Sequence, residues 1–257
     1  MNDNPYMVAY WQKSVVNRDG YKSGLPTVMD FPVVDLMPAV LNEAETRGTG
    51  LIRLYETIAA DFLYADPMKL MVFPDNHDRP RLYSRLHDNL DLFETSLLFT
   101  ATTRGIPQYF YGTEILAESP IERADGIIRS DMPGGWPGDR VNAFTGAGLS
   151  PRQLETQAYL RKLLQWRRTS SAVTAGKLLH YIPANGCYVY FRYDDRQTVM
   201  VVLNKNQQDA TLDLTRFRGM LKGSPRGKNV LTDETVDLTT PLHLPPLKSV
   251  AIEVQSN

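Results

Sequence analysis

Apolar and polar positions follow two different patterns along the chain, and the change falls between residues 169 and 177. Before this change, short apolar runs are separated by stretches with helical periodicity. From about Leu178 onward, short runs rich in β-branched and aromatic residues are divided by polar turns. The second pattern is typical of a small antiparallel β-sandwich. The sequence therefore predicts a mixed α/β region over residues 1–170 and an all-β region over residues 171–257.

Three apolar runs in the first region predict buried strands. They are LPTVMD at residues 25–30, KLMVF at residues 69–73 and IPQYFYG at residues 106–112. A segment with helical periodicity follows each of the first two runs, and a further helical segment lies after the third. Strands that alternate with helices in this way are typical of a parallel sheet with crossover helices.

Three predicted helices complete the first region. One helix face is marked by Leu51, Leu54, Tyr55, Ile58 and Phe62, and a second by Leu90, Phe93, Leu97 and Ala101. Gly105 stands where the second helix should stop. Ser150, Pro151 and Gln153 supply an N-cap, a proline at the first helical position and a capping-box partner. We expect a third helix from there to about residue 168.

Composition narrows the class of protein. The chain has 257 residues and is 42% hydrophobic, enough for a sizeable core, and its formal net charge is -1. A near-neutral chain has no net field that favours nucleic acid or an anionic membrane surface. No stretch approaches the roughly 20 apolar residues of a membrane span, and the first residues lack a signal-peptide pattern. We expect a soluble protein, and we expect its single cysteine, Cys187, to be a small buried residue.

Charge is concentrated where the second predicted strand ends, in LMVFPDNHDRPR at residues 70–81. In parallel α/β folds the carboxyl ends of strands and the loops after them form the active face. Asp78 could stabilise a developing positive charge there, His77 could donate a hydrogen bond to a hydroxyl, and Arg81 could keep a carboxylate ionised. The alternative is a solvated turn in which Asp75 and Asn76 bond to nearby backbone and Arg79 and Arg81 pair with acids.

These residues carry a resemblance to a known family. VFPDNHDRPR at residues 72–81 resembles the fourth signature region of the α-amylase family, glycoside hydrolase family 13. GIPQYFYGTEI at residues 105–115 resembles the eighth barrel strand of that family, and LPTVMDFPV at residues 25–33 resembles the sixth. The β-rich tail is similar to its C-terminal sandwich, and the nearest subgroup is that of neopullulanases and cyclomaltodextrinases. The resemblance implies strands six to eight of a (β/α)8 barrel over residues 1–170, followed by a β-sandwich domain.

The resemblance also implies roles for single residues. Asp78 matches the third catalytic carboxylate, and His77, Asn76 and Arg81 match positions that bind or lie near the sugar. Tyr111, Gly112 and Glu114 match the eighth-strand motif, mainly as structural residues. The implied activity is hydrolysis of O-glycosyl bonds in α-linked glucan oligosaccharides by a retaining mechanism. No cofactor is implied; the full-length family binds calcium in some members, but the sequence shows no metal-ligand cluster.

The other two carboxyl groups of a retaining glycosidase have no match in the sequence. Retaining hydrolysis needs a nucleophile and a general acid on either side of the scissile bond. The family's Arg-x-Asp nucleophile motif and its Gly-Glu acid motif are both absent from these residues. Asp19, in a polar NRDG turn, and Asp30, at a structural position, are poor substitutes. We therefore expect the C-terminal portion of an enzyme, inactive alone, that needs the other half of the barrel or associates through exposed strand edges.

Two other functions remain open from the sequence. A non-catalytic carbohydrate-binding module would use aromatic side chains such as Trp11, Trp136, Tyr188 and Tyr190 to stack on sugars. Tyr188 and Tyr190 alternate along a predicted strand, so they share a face, either as a platform or in packing. A glucanotransferase on the same fold would share the Asn-His-Asp chemistry. In the loop IIRSDMPGGWPGD at residues 127–139, Trp136 could cap a sugar site or anchor the loop from inside.

Overall fold

A short parallel sheet and a larger antiparallel sheet organise the chain in the computed structural model, which describes residues 4–255. The parallel sheet has the order β1-β2-β3, with β1 at Val28–Met29, β2 at Leu70–Val72 and β3 at Ile106–Pro107. Val28 lies opposite Leu70, and Met71 lies opposite Ile106, both in parallel register. The parallel pairing of the three predicted runs is confirmed, although each strand is shorter than its apolar run.

Helices and short 3₁₀ turns surround this sheet. The α-helices of the first region are α1 at Pro5–Tyr10, α2 at Phe31–Asn42, α3 at Leu51–Ala59, α4 at Leu82–Arg85, α5 at Leu90–Thr102, α6 at Asp125–Ile128 and α7 at Pro151–Thr169. The short helix α8 at Ser171–Thr174 follows at the start of the second region. The predicted capping box opens α7: Gln153 N–H donates to Ser150 Oγ at 3.3 Å, and Ser150 N–H donates to Gln153 Oε1 at 2.9 Å. The predicted third helix is confirmed to within one residue.

Three details of the first region depart from the sequence pattern. Pro32, which falls within the segment that resembles the family's sixth strand, lies in the first turn of α2, where a missing N–H costs little. Phe62, expected on the buried face of α3, is 79% exposed because α3 ends at Ala59 and a 3₁₀ turn then changes the angular spacing. Gly105 lies beyond the end of α5, and its φ of +94° lets the chain pass close to the Leu70 carbonyl.

The predicted antiparallel sandwich is confirmed. Its strands are β4 at Lys177–His180, β5 at Cys187–Tyr193, β6 at Thr198–Asn204, β7 at Ala210–Leu212, β8 at Arg226–Asn229, β9 at Thr235–Asp237, β10 at Leu242–Leu244 and β11 at Val250–Val254, with the helix α9 at Arg218–Leu221. Six of them form one antiparallel sheet in the order β4-β5-β6-β11-β8-β9, and β10 pairs with β7.

Alternate residues of β5 enter two different cores. Tyr188 and Tyr190 point toward the helices of the first region, while Val189 and Phe191 pack inside the sandwich. Both tyrosines are 1% exposed, and the hydroxyl of Tyr190 lies 2.5 Å from Thr102 Oγ1. The two tyrosines therefore pack between the two regions, and the sugar platform considered for them is wrong.

Cations from the C-terminal part of the chain reach the carboxyl ends of two helices in the first region. Arg167 donates to the Ala101 carbonyl at 2.6 Å, and Arg192 donates to the Thr103 carbonyl at 2.5 Å, both at the end of α5. Lys205 donates to the Val40 and Glu43 carbonyls at the end of α2. Helix carboxyl ends carry unpaired carbonyl groups and partial negative charge. The contacts of Arg192 and Lys205 therefore join the sandwich to the first region, and the contact of Arg167 joins α7 to α5.

Candidate active site

The chain after β2 stays buried and then emerges at the predicted motif. Residues 73–76 are buried, whereas the side chain of His77 is 57% exposed and that of Asp78 is 39% exposed. The Asn76 side-chain oxygen accepts the Asp78 N–H at 2.9 Å and so fixes the turn. Its Nδ2 atom is buried without a hydrogen-bond partner. The motif thus presents His77 and Asp78 at the carboxyl end of a parallel strand.

A buried carboxyl group ties this loop to the loop after β3. Asp75 accepts the Leu82 N–H at 3.0 Å and the Thr113 hydroxyl at 2.9 Å. Burial raises the pKa of the Asp75 carboxyl above its ordinary value, although both hydrogen bonds oppose that shift. Because Thr113 follows β3, the Asp75 side chain links the two loops.

Arg81 lies inside the protein, between the same two loops. Its side chain donates from Nη1 to the Tyr111 carbonyl at 2.6 Å, and its guanidinium lies 4.2 Å from the centre of the Phe110 ring. The residue is 2% exposed, and burial lowers the pKa of its guanidinium. The substrate-binding position predicted for Arg81 has no support from this placement, because the guanidinium contacts protein groups.

Arg129, a residue that the motif analysis passed over, reaches both members of the exposed pair. Its Nε donates to the His77 carbonyl at 3.0 Å, and its Nη2 lies 3.0 Å from Asp78 Oδ1. On the other side, His77 Nε2 lies 3.5 Å from Asp78 Oδ2, and the His77 ring lies 6.3 Å from the Phe110 ring. The only sequence signal for Arg129 was its position in the loop after the third strand.

Further charges around Asp78 occur in pairs. Arg123 makes a two-pronged contact with Asp125 at 2.7 and 3.0 Å, which lowers the pKa of Asp125. Asp125 also lies 3.2 Å from Arg129, and Arg123 approaches Asp78 to 3.9 Å. Two guanidinium groups and two carboxylates thus form one network at the surface.

Arg79, within the motif, points away from this network. Its guanidinium makes a two-pronged contact with Asp35 of α2 at 2.6 and 2.8 Å and lies 5.2 Å from the centre of the Phe31 ring. The hydrogen bond to Asp35 raises the pKa of Arg79. The pairing of Arg79 with an acid, considered as part of a solvated turn, is therefore present, and it links the motif to α2.

Residues 111–114, which resemble the family's eighth-strand motif, follow β3 and lie beside Arg81. Gly112 has a φ of +86°, and a Cβ there would lie 3.0 Å from Ala117 Cβ and 3.5 Å from the Arg81 guanidinium. A larger residue would be strained at this backbone conformation. Tyr111 is 39% exposed, and Glu114 lies in a partly exposed 3₁₀ turn.

The two weak nucleophile candidates are engaged elsewhere. Asp30 is 1% exposed and pairs with Arg104 at 2.5 Å, and Arg104 also pairs with Asp61 at 2.8 Å. Asp19 lies in an exposed turn, where it accepts a hydrogen bond from the Tyr10 hydroxyl at 2.8 Å. Asp30 has the buried structural role expected for it.

Two further sequence expectations concern Trp136 and Cys187. Trp136 is 63% exposed, so the interpretation of this residue as a buried anchor is wrong. Cys187 is a free, buried cysteine, as expected, and burial raises the pKa of its thiol to about 11. Such a thiol is unreactive near neutral pH.

Residues 4–255 contain neither a cluster of metal-ligand side chains nor a membrane-spanning helix. No group of three or more His, Cys, Asp or Glu side chains is arranged to hold a metal ion within these residues. None of the helices in the same residues is long and apolar enough to cross a membrane.

Comparison with solved structures identifies the fold. The whole chain matches 52% of an α-amylase from Geobacillus thermoleovorans, solved with acarbose, with a TM-score of 0.73 and 20% identity. It also matches 35% of a γ-cyclodextrin glucanotransferase from an alkalophilic Bacillus clarkii, with 99% of this chain covered, a TM-score of 0.68 and 20% identity. These likenesses show a fold shared with part of α-amylase-type proteins.

Sequence comparison gives the particular family of the sandwich. Residues 178–253 match the family described as the Cyclo-malto-dextrinase C-terminal domain. A cyclomaltodextrin glucanotransferase from Thermoanaerobacterium thermosulfurigenes is 27% identical over 187 residues, which are 72% of this chain and 23% of that protein. An α-amylase from Niallia circulans is 27% identical over 188 residues, 72% of this chain and 31% of that protein. The chain therefore spans about a quarter of these relatives, and the resemblance to the α-amylase family is confirmed.

Proposed function

We propose that this chain forms the C-terminal part of an α-amylase-type active site in which Asp78 is the third catalytic carboxylate. The observation that carries the proposal is the exposure of His77 and Asp78 together at the carboxyl end of the parallel strand β2. That edge is where parallel α/β folds place their sites. The proposal takes β1, β2 and β3 as strands six, seven and eight of a (β/α)8 barrel.

The proposed chemistry assigns a separate role to each exposed residue. Asp78 stabilises the positive charge that develops on the sugar ring in the transition state, and His77 donates a hydrogen bond to a sugar hydroxyl. Asn76 fixes the turn that presents them. The substrates are α-linked glucans, a proposal supported by acarbose in the Geobacillus α-amylase structure and by maltose in a structure of AmyP. The subgroup of neopullulanases and cyclomaltodextrinases is supported by the sandwich family alone.

The proposed site is incomplete within these residues. In the described part of the chain, the parallel sheet has the order β1-β2-β3, so each outer strand has one edge without a strand partner. A closed barrel of this type needs eight strands. We propose that polypeptide outside these 257 residues supplies the other strands, the nucleophile and the general acid. A second copy of the chain covering these edges is the alternative.

One alternative activity has specific support. Several relatives are named as cyclomaltodextrin glucanotransferases, among them those from T. thermosulfurigenes and N. circulans. A transferase would use Asp78 in the same way and would pass the glycosyl group to a sugar instead of water. A carbohydrate-binding module is supported less, because Tyr188 and Tyr190 are buried, although Trp11 and Trp136 are exposed.

Sugar release and sugar binding test the proposal together. The purified chain should release no reducing sugar from maltooligosaccharides at an enzyme-like rate, but it should bind maltotriose weakly. That binding should be lost in Asp78→Asn and retained in Asp195→Asn, which changes an exposed aspartate in the sandwich. In an assembled enzyme that contains the chain, Asp78→Asn should lower kcat about 100-fold to 1000-fold. Rapid turnover by the chain alone, abolished in Asp78→Asn, would show that a nucleophile and an acid lie within it.

A further inference from the structure

One guanidinium group holds both exposed residues of the motif. Arg129 donates from Nε to the His77 main-chain carbonyl and from Nη2 to the Asp78 carboxylate, each at 3.0 Å. We infer that Arg129 is a positioning residue, which fixes the direction of the Asp78 carboxylate before a sugar arrives. The inference rests on the proposed function of Asp78 and adds a residue that the motif does not contain.

The position of Arg129 is itself fixed from both sides along the chain. The preceding residue, Ile128, is fully buried, and the carbonyl of the following residue, Ser130, accepts the Tyr111 hydroxyl at 3.0 Å. Tyr111 follows β3, so the segment that carries Arg129 is attached to the neighbouring strand loop. A guanidinium held in this way loses little further conformational freedom when it contacts a carboxylate.

The contact has a geometric consequence for Asp78. Arg129 engages Oδ1, and the Asx turn from Asn76 fixes the Asp78 main chain, so the carboxylate cannot rotate freely. Oδ2 is then the oxygen that faces His77, at 3.5 Å from Nε2. We infer that a sugar hydroxyl is accepted on the Oδ2 side, next to the His77 ring. Preorganised acceptors of this kind need no reorganisation when substrate binds.

Exposure indicates that the contact serves orientation more than stability. The side chains of Arg129 and Asp78 are 42% and 39% exposed, and ion pairs at such positions contribute little to the free energy of unfolding. Asp125 Oδ2 lies 3.2 Å from the same Arg129 Nη2 atom that contacts Asp78 and shares its charge. Only an arginine can use two nitrogen atoms to reach a carbonyl and a carboxylate at once, because lysine carries a single donor group.

The first experiment tests the contact between Arg129 and Asp78 in the absence of sugar. In the ¹⁵N-labelled chain, the Arg129 Nη2–H resonance, assigned by its loss in Arg129→Lys, should exchange slowly with water. In Asp78→Asn it should shift and exchange faster, while in Asp195→Asn it should stay as in the wild type. An Arg129 resonance that is the same in Asp78→Asn and in the wild type would overturn the inference.

The second experiment measures how Arg129 affects sugar binding, with maltotriose as the probe. Arg129→Gln should weaken binding about tenfold, the loss expected for one charge-assisted hydrogen bond, and Arg129→Lys should restore only part of it. Arg196→Gln, which changes an exposed arginine of the sandwich, is the matched control. Equal affinity in Arg129→Gln and the wild type would also overturn the inference. If the wild type binds no maltotriose, the proposed function fails, and the resonance experiment still decides whether Arg129 orients Asp78.

Discussion

Arg192, on the strand β5, donates a hydrogen bond of 2.5 Å to the carbonyl of Thr103, the residue that follows α5. The same guanidinium donates to the Gly176 carbonyl at 2.7 Å, and the residue is fully buried. Burial lowers its pKa to about 10, yet it remains charged at neutral pH. A buried cation surrounded by carbonyl oxygens is a strong constraint on how the sandwich meets the first region.

Replacing this cation should destabilise the whole chain. In Arg192→Met the carbonyls of Thr103 and Gly176 lose their donor, and each unpaired buried carbonyl costs about 1–3 kcal/mol. We expect the free energy of unfolding to fall by about 2–4 kcal/mol in urea titrations followed by circular dichroism. Arg196→Met, at an exposed position of the same sandwich, should change it by less than about 0.5 kcal/mol. Equal stability of the two variants would contradict the prediction.

Asp75 should give the chain a measurable dependence of stability on pH. Its folded-state pKa is raised above the unfolded value near 3.9, so the native state holds this proton more tightly. Its contribution to stability is therefore full below about pH 4 and decreases as pH rises through the folded pKa. We expect the unfolding free energy of the wild type, relative to that of Asp75→Asn, to decrease as the pH is raised from 4 to 8. A difference that is constant over this range would show that Asp75 does not titrate in this way.

The exposed pair should matter for sugar binding and not for folding. His77→Ala removes a ring that is 57% exposed and pairs only weakly with Asp78, so the free energy of unfolding should change by less than about 0.5 kcal/mol. Maltotriose affinity should nevertheless fall, because the donor proposed for a sugar hydroxyl is gone. Calorimetric titration and urea unfolding of the same preparation separate the two effects. A large loss of stability would point to a structural role for His77.

Gly112 should tolerate no side chain. At a φ of +86° an added Cβ would lie 3.0 Å from Ala117 Cβ, so Gly112→Ala should cost about 1–3 kcal/mol of unfolding free energy. Gly219→Ala is the matched control, because Gly219 lies in α9 with open space around its Cβ position. Thermal unfolding of both variants gives the comparison. Similar melting temperatures would mean that the loop after β3 relaxes around the new methyl group.

Local contacts explain what the sequence predicted well. The capping box of Ser150 and Gln153 involves residues three positions apart, so its geometry follows from the sequence order alone. The parallel pairing of the three short strands also follows from their alternation with helices. The predicted roles of Asp78 and Asn76 came from the family resemblance and stay predictions.

Contacts between distant residues explain what the sequence could not predict. Arg129 and Asp78 are 51 positions apart, and Arg192 and Thr103 are 89 apart, so neither pair leaves a periodic signal. The position of Arg81 near the sugar came from the family resemblance and stays a prediction; its burial against Phe110 involves residues 29 positions apart and could not be predicted from the sequence pattern. The predicted burial of Phe62 was wrong for a simpler reason, since α3 ends at Ala59, before it reaches this residue.

The strand β5 contributes side chains to two hydrophobic cores. Tyr188 and Tyr190 belong to one core, and Val189 and Phe191 belong to the other. A chimera that joins residues 1–170 to the sandwich of another relative would therefore replace part of the packing around α5, including Tyr190, the partner of the Thr102 hydroxyl. Such exchanges should succeed only when the donor sandwich brings matching aromatic residues at these alternate positions. In directed evolution, we accordingly expect coordinated substitutions in β5 and α5 to be tolerated better than single substitutions in either element.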